Sequence, residues 1–347
     1  MSINTRNPVR LRAARLAPAG LLRSVGLAAL LCQPATASSA ALPDRDLSPL
    51  IATMGLPRAD EGAELAPAGR LRWRSSVATA SHAVQDTHGV ETMLFDGETT
   101  RLAIAFDYGL TDTLQLGIEL PYLLHESGGL DTLVETWHDL FGLPNGLRDF
   151  VAQDQLDIRY RDAGIDRLDV QSNQRGLGDL RLLAAWQLRS DARAKTAARL
   201  SVQLPTGDSD KLTGSGAATL SLGIASDREQ LFGKPAWSSF YRAHIVLRDR
   251  PDQLPERARR VVGQLAGGIS LRVRPRMELT VQSTLRSAAY DSELRLLGST
   301  ALQLSVGGTI DLSDTLRLAI AVGEDVRVKT APDVSFAVAL HYLPPAR

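Results

Sequence analysis

From about residue 71 to its C-terminus, the chain alternates apolar and polar residues with a period of two, in segments of roughly ten residues. Segment 113–122 is an example, with Leu or Ile at every even position from 114 to 120 and polar residues or glycine between them. This spacing is that of β-strands, whose successive side chains point to opposite faces of a sheet. The pattern therefore predicts an all-β fold.

We count about twelve such segments, an even number of strands whose length suits a tilted crossing of a lipid bilayer. They lie at 71–83, 96–107, 113–122, 177–190, 195–204, 215–226, 236–248, 259–273, 276–287, 299–311, 314–323 and 332–342.

The connections between the segments alternate between short turns and long stretches. The long ones are 84–95, 123–176, 205–214, 249–258, 288–298 and 324–331, and only the link 227–235 is longer than its place in the alternation predicts. Outer-membrane barrels have short periplasmic turns at one end and long external loops at the other. The sequence thus predicts an antiparallel transmembrane β-barrel of about twelve strands.

The alternative is a soluble β-sandwich or lipocalin-like barrel, in which the apolar face points inward. Periodicity cannot distinguish the two directions, but about twelve strands would enclose more volume than Leu and Val side chains fill.

Composition excludes several other classes of protein. The mean hydropathy is −0.08 and no long apolar run follows the N-terminus, which argues against a helical membrane protein. The 39 Lys and Arg residues balance 39 Asp and Glu residues, which argues against a nucleic-acid partner. The single cysteine excludes a disulfide framework and a thiolate zinc site, and we predict no metal or other cofactor.

The N-terminus has the three parts of a secretory signal peptide. Arginines precede the short apolar run 25–31, and the small-residue site Ala35-Thr-Ala37 follows it. We predict a signal peptide over 1–37 that is cleaved after Ala37, a periplasmic N-terminal segment over 38–70, and a barrel over 71–347. The predicted location is the outer membrane of a Gram-negative bacterium. A cytoplasmic chain with an Ala/Leu-rich tail is the alternative.

The long connection 123–176 contains apolar residues at helical spacing, which predicts an amphipathic helix near 129–141 in an external loop. This helix could cap the barrel mouth, fold inward as a plug or lie at the lipid interface. The residues that mark it are Asp131, Trp137, His138 and Asp139. Behind it, 156–160 and 165–170 predict a small hairpin, and counting its strands would give the alternative of fourteen.

Five stretches of the chain resemble an uncharacterised family of Gram-negative outer-membrane proteins, the domain-of-unknown-function family 3187. They are Asp96–Arg101, Glu119–Tyr122, Gly128–Arg148, Gly176–Leu180 and Leu204–Gly214. The resemblance extends over essentially the whole mature chain, with departures at Leu124-His-Glu126 and beyond Tyr342. It implies a β-barrel in the outer membrane and implies no activity.

Several side chains with catalytic potential crowd into one part of the long connection: His125, Ser127, Asp131, Glu135, His138 and Asp139. A surface hydrolase acting on lipid is one interpretation, because a hydroxyl nucleophile needs an oriented base. However, there is no Gly-x-Ser-x-Gly motif, and the spacing defines no triad. We therefore assign no catalytic residue and do not expect an enzyme.

The alternation also predicts which polar residues line the lumen. The main pore-lining candidates are Arg101, Glu119, Arg181, Arg242, Arg272, Glu278, Arg286 and Arg317. They predict a channel or transporter for a small or hydrophobic solute, with a sealed structural barrel or the surface hydrolase as alternatives. The expected partners are outer-membrane lipid, the barrel-assembly machinery and a small solute, and the expected state is a monomer.

Overall fold

The computed structural model describes residues 41–130, 136, 155–327 and 329–345. The predicted signal peptide over 1–37 lies outside the described residues, as do the marker residues of the predicted loop helix, Asp131, Trp137, His138 and Asp139. Among the described residues, no helix is both long enough and apolar enough to cross a membrane.

The described strands belong to one antiparallel sheet of fifteen strands. Their bounds are β1 Leu71–His88, β2 Glu91–Gly109, β3 Leu114–Glu126, β4 Asp157–Asp162, β5 Ile165–Val170, β6 Gln174–Leu177, β7 Leu180–Ser190, β8 Ala194–Leu204, β9 Thr219–Arg228, β10 Trp237–Arg248, β11 Val261–Arg274, β12 Met277–Arg286, β13 Ala301–Asp311, β14 Leu316–Asp325 and β15 Val334–Tyr342.

Twelve of these strands form a closed ring, because β15 pairs back onto β1 with Val338 opposite Val77. The order around the ring is β1, β2, β3 and then β7 to β15. Every predicted strand segment corresponds to one strand of this ring, so the predicted barrel of twelve strands is confirmed.

The two faces of the wall differ as the fold of an outer-membrane barrel requires. Leu116 and Leu279 on the outer face are each 46% exposed, whereas Glu119 on the inner face is 0% exposed and Arg286 is 2% exposed. A lipid core offers no hydrogen bonds to the backbone, so a sheet can lie in it only when closed. The alternative barrel with an inward apolar face is not what forms.

The first hairpin of the ring is longer than the sequence predicted. Residues 84–95 were expected to be an external loop, but β1 and β2 stay paired up to His88 and Glu91. The reason is that Val84, Met93 and Phe95 are buried in an apolar cluster beyond the ring. Packing of these side chains therefore extends the pairing of the two strands beyond the ring.

The predicted small hairpin is present as β4 and β5, with Ile158 opposite Val170. It pairs with the extension of β2, where Ile158 lies opposite Phe95, and it does not enter the ring. The alternative of fourteen strands is therefore wrong. The short strand β6 pairs with the end of β3 and also lies outside the ring.

Residues 41–66, which we call the lumenal segment, lie inside the ring. The sequence predicts a periplasmic segment over 38–70, but wall side chains of β8, β10 and β11 donate hydrogen bonds to the carbonyls of Thr53, Ala59 and Pro57. The segment contains the helix α1, Pro49–Ala52. Its polar backbone and charged side chains find partners among the inward-facing polar residues, which satisfies buried groups on both sides.

Two further short elements lie in connections. Helix α2, Arg295–Gly298, lies in the connection between β12 and β13. A single 3₁₀ turn, Leu231–Gly233, lies in the link between β9 and β10, the link that was already too long for a short turn.

Candidate functional site

The first part of the lumenal segment is bound by side chains of β12, β13 and β15. The backbone N–H of Leu42 donates to Gln282 Oε1 at 2.9 Å. The Asp44 carboxylate accepts hydrogen bonds from Ser305 Oγ at 2.5 Å and Ser335 Oγ at 2.7 Å. These contacts hold the segment against one side of the wall.

The segment then reaches the end of the barrel that carries the long connections, which we call the long-loop end. Here Arg286 Nη2 lies 3.1 Å from Asp46 Oδ2. Beyond this pair, apolar residues of the segment pack into a cluster with β1, β2, the β4–β5 hairpin and the loops above the ring, which we call the apolar cap. Its members from the lumenal segment are Leu50, Ile51, Met54 and Leu56.

Polar contacts at its edge hold the apolar cap in place. Tyr160 of β4 is fully buried and donates a hydrogen bond to Glu91 Oε1 at 2.5 Å. Burial, together with this hydrogen bond to Glu91, raises the pKa of Tyr160 above its usual value. Arg257 Nη2 lies 2.9 Å from Asp162 Oδ2 and ties the hairpin to the connection between β10 and β11.

The segment turns at the apolar cap and runs back through the ring past Glu119, a fully buried carboxylate on β3. Glu119 accepts hydrogen bonds from Arg101 at 2.6 Å, Arg181 at 3.2 Å and Arg74 at 3.5 Å. Arg58 of the lumenal segment also contacts it. We call these four arginines and Glu119 the arginine cluster.

Acidic residues of the lumenal segment extend the arginine cluster. Asp60 Oδ2 accepts a hydrogen bond from Arg74 at 2.7 Å, and Glu61 Oε1 accepts one from Arg181 at 3.2 Å. The segment thus brings both signs of charge into the lumen and binds to wall residues of both signs.

The last part of the lumenal segment reaches the opposite end of the ring, which we call the short-turn end. The N–H of Ala63 donates to Asp227 Oδ2 at 2.6 Å, and that of Ala66 donates to Gln115 Oε1 at 2.7 Å. Ala68 then bridges to Gly109, and β1 begins.

All eight predicted pore-lining residues can be located. Arg101, Glu119 and Arg181 belong to the arginine cluster. Arg242 contacts Asp227 at 2.7 Å and Arg286 contacts Asp46, while Arg272 pairs with Glu278 at 2.6 Å and Arg317 with Asp311 at 2.6 Å. Whether they line a conducting pore stays a prediction.

Sequence reasoning missed the residues of the lumenal segment that bind the wall, chiefly Asp44, Asp46, Arg58, Asp60 and Glu61. A signal was present, because the segment carries charges of both signs and the predicted lumen does too. Periodicity cannot show that two such sets bind one another.

The hydrolase interpretation finds no support in the described part of the long connection. His125 is buried, its Nε2 hydrogen-bonds the carbonyl of Leu212 at 2.9 Å, and its Nδ1 hydrogen-bonds Thr99 Oγ1 at 3.0 Å. Both ring nitrogens are therefore engaged, and neither is placed to serve as a general base. The other members except Ser127 lie outside the described residues. Within the described ranges, no group of three or more His, Cys, Asp or Glu side chains could hold a metal ion.

A cavity of about 50 Å³ remains between the arginine cluster and the short-turn end. Its charged and titratable lining consists of Arg58, Asp60, Glu61, Arg72, Arg74, Asp107, Arg199, Arg317 and His341.

Comparison with protein families matches residues 21–343 to a family described as "Protein of unknown function (DUF3187)". The protein belongs to this family. The DUF3187 match spans the described barrel up to β15 and includes the lumenal segment. A search of curated proteins finds no significant match.

Solved structures similar to this DUF3187 protein are outer-membrane barrels. The COG4313 outer membrane channel from Pseudomonas putida F1 is 17% identical, with a TM-score of 0.52 over 81% of this chain and 97% of that chain. The NanC porin is 8% identical, with a TM-score of 0.44 over 80% and 100% of the two chains. The toluene transporter TbuX from Ralstonia pickettii is 12% identical, with a TM-score of 0.39 over 88% and 95%. The likeness to the COG4313 channel supports the barrel fold of the ring.

Proposed function

We propose that the protein is an outer-membrane channel for a small solute, and that the lumenal segment closes it. The observation that carries this proposal is the way in which the interior is filled. Ion pairs between wall residues of the described ring join adjacent strands, except that Arg74 on β1 pairs with Glu119 on β3 across the intervening strand β2. The contacts that reach across the interior run through the lumenal segment.

Apolar residues of the lumenal segment pack into the apolar cap and against the wall, but its polar contacts with the wall are ones that water can replace. Gln203, Gln264 and Arg242 hold it by side-chain hydrogen bonds to its carbonyls. Among the described residues, its end bridges the sheet only at Ala68, and the segment forms no strand of the ring. It can therefore leave the lumen while every strand keeps its backbone partners, and an open ring with a polar interior would remain.

A sealed structural barrel is the alternative that this arrangement disfavours. A barrel that only needs rigidity could link its opposite walls directly, without threading a separate stretch of chain between them. We also propose that the barrel is monomeric, that outer-membrane lipid contacts its apolar face and that the barrel-assembly machinery inserts it. Export by a signal peptide that is cleaved after Ala37 in a Gram-negative bacterium completes the proposal.

Planar-bilayer conductance of a variant with a removable lock tests the channel. In the variant Asp44→Cys/Ser305→Cys, oxidation would join the lumenal segment to β13 by a disulfide, because the two side chains contact each other and the sulfurs meet after a shift of about one bond length. The native Cys32 lies in the predicted signal peptide and should not interfere. We expect discrete openings from the wild-type barrel, none from the oxidised variant and their return on reduction.

The single variant Asp44→Cys is the matched control, because it loses the same carboxylate but cannot form the crosslink. It should conduct under both oxidising and reducing conditions. Wild-type openings that persist in the oxidised double variant would show that the lumenal segment does not close the route. Silence of the wild type, the reduced double variant and a variant lacking residues 41–66 would identify a sealed barrel.

A further inference from the structure

The arginine cluster and the cavity beside it hold more positive than negative charge. Seven arginines of the lumenal segment and the inner wall face four carboxylates in this region, which leaves an excess of three positive charges. The arginines are Arg45, Arg58, Arg72, Arg74, Arg101, Arg181 and Arg199, and the carboxylates are Asp60, Glu61, Asp107 and Glu119. Arg317 and Arg242 are left out because each pairs with its own aspartate.

Such an excess is unfavourable at a buried site, because charges taken out of water require compensation by opposite charge. Arg74 and Arg199 are 6% and 8% exposed, and Glu119 is fully buried between its partners. Glu119 already contacts five guanidinium groups and cannot balance them all.

The cavity is also where hydrogen-bond donors lack acceptors. Arg72, Arg74 and Arg199 all line it, and among the described residues the buried Nε atom of each has no hydrogen-bond partner. Water in the cavity would not balance the charge of these guanidinium groups, whereas an anion would.

We propose that this cavity binds a small oxyanion, a carboxylate or phosphate group, through the guanidinium groups of Arg72, Arg74 and Arg199. Guanidinium presents a planar fork of donors that matches the oxygens of these groups, so arginine suits them better than it suits a spherical ion. The cavity of about 50 Å³ has room for a group of that size. The oxyanion site itself does not depend on the proposed channel. If the channel conducts, the site implies that its solutes are negatively charged, and this second step rests on the proposed function.

Calorimetric titration of the purified full-length barrel in detergent, at low ionic strength, tests the oxyanion site directly. The probes are inorganic phosphate and, separately, the dicarboxylate succinate, with chloride as the comparison anion. We expect saturable binding of one or both oxyanions to a single site, and weaker binding of chloride. Comparison of the phosphate and succinate titrations shows whether the site prefers a phosphate or a carboxylate group.

The variants Arg72→Gln and Arg199→Gln should each weaken the binding by about tenfold, because each loses a charge-assisted hydrogen bond. The control Arg276→Gln removes the same charge from an exposed pair with Asp314 and should leave affinity unchanged. The conservative variant Arg72→Lys keeps the charge, and with it assembly of the barrel, so it should weaken binding less than Arg72→Gln does.

Absence of saturable oxyanion binding to the wild type would overturn the proposal, and so would chloride binding as tight as that of both oxyanions. An equal loss in Arg276→Gln would overturn it as well. Oxyanion binding by a barrel that never conducts would support the site while refuting the channel. Conductance without oxyanion binding would do the reverse.

Discussion

Glu119 is the residue on which the arginine cluster depends most, because wall and lumenal segment both direct guanidinium groups to its carboxylate. Arg101 and Arg181 approach it from neighbouring strands, and Arg58 approaches it from the lumenal segment. Its two oxygens therefore join β2, β7 and the lumenal segment, which share no backbone hydrogen bonds with one another. An uncharged side chain of the same shape would keep the contacts but would no longer balance the positive charge of the arginines.

We predict that Glu119→Gln lowers the free energy of unfolding by about 3–5 kcal/mol, the usual cost of leaving buried charges unpaired. Urea-induced unfolding of the barrel in detergent would measure it. The control Asp314→Asn removes a carboxylate that is 91% exposed and paired with Arg276, and it should have little effect. If both variants unfold at the same urea concentration as the wild type, the arginine cluster does not hold the interior together.

At this scale, the sequence predicts where polar residues face the lumen but not what they bind. Alternation along β2, β3 and β7 selects Arg101, Glu119 and Arg181 correctly as inward-facing residues, because strand geometry alone decides it. Their pairing with residues near position 60 depends on a long-range packing event that no local pattern encodes.

At the scale of elements, the ring and the parts outside it follow different rules. Ring strands alternate between lipid and lumen, so their sequence pattern is strong and all twelve were predicted. The extension 84–95 and the β4–β5 hairpin are instead held by the apolar cap, where Phe95 and Tyr160 are fully buried. The sequence of the lumenal segment shows neither the two-residue period of a strand nor the period of an amphipathic helix, because its partners lie all around it. Without such a pattern, the sequence predicts a periplasmic segment.

The apolar cap makes the β4–β5 hairpin stable without membership in the ring. Tyr160 supplies both a buried ring and a hydrogen bond to Glu91, a carboxylate that also accepts one from Ser292. We predict that Tyr160→Phe costs about 1–2 kcal/mol of local stability, since it removes one bond to a charged acceptor and keeps the packing.

Hydrogen–deuterium exchange of the detergent-solubilised barrel would show this loss as faster exchange over 157–170, with exchange in the ring strands unchanged. Tyr108→Phe is the control, because Tyr108 lies on the outer face with 46% exposure. Unchanged exchange in the hairpin would mean that apolar packing alone retains it, and faster exchange throughout the ring would mean that the hairpin and the ring unfold as one unit.

The described ring consists of three concentric layers: an apolar outer face, a closed hydrogen-bonded wall and a charged interior. Each layer needs the next, since lipid demands closure of the wall, and a ring of twelve strands encloses more space than its own side chains fill. The lumenal segment occupies that space with both signs of charge. The arrangement has a direct energetic consequence for the outer face, because its apolar residues should be surrounded by acyl chains.

We predict that a charge on the outer face is costly at mid-strand and cheap at the edge. Val281 lies midway along β12 and Leu312 lies in the short turn between β13 and β14, yet both are 53% exposed. Val281→Arg should lower the free energy of unfolding by about 2–4 kcal/mol and Leu312→Arg by about 0–1 kcal/mol, because the cost of arginine falls from the bilayer midplane to its interface. Reversible unfolding in phospholipid vesicles would measure both. Equal exposure removes burial as a difference between the two sites, so similar small costs at both positions would mean that water, rather than lipid, surrounds the outer face.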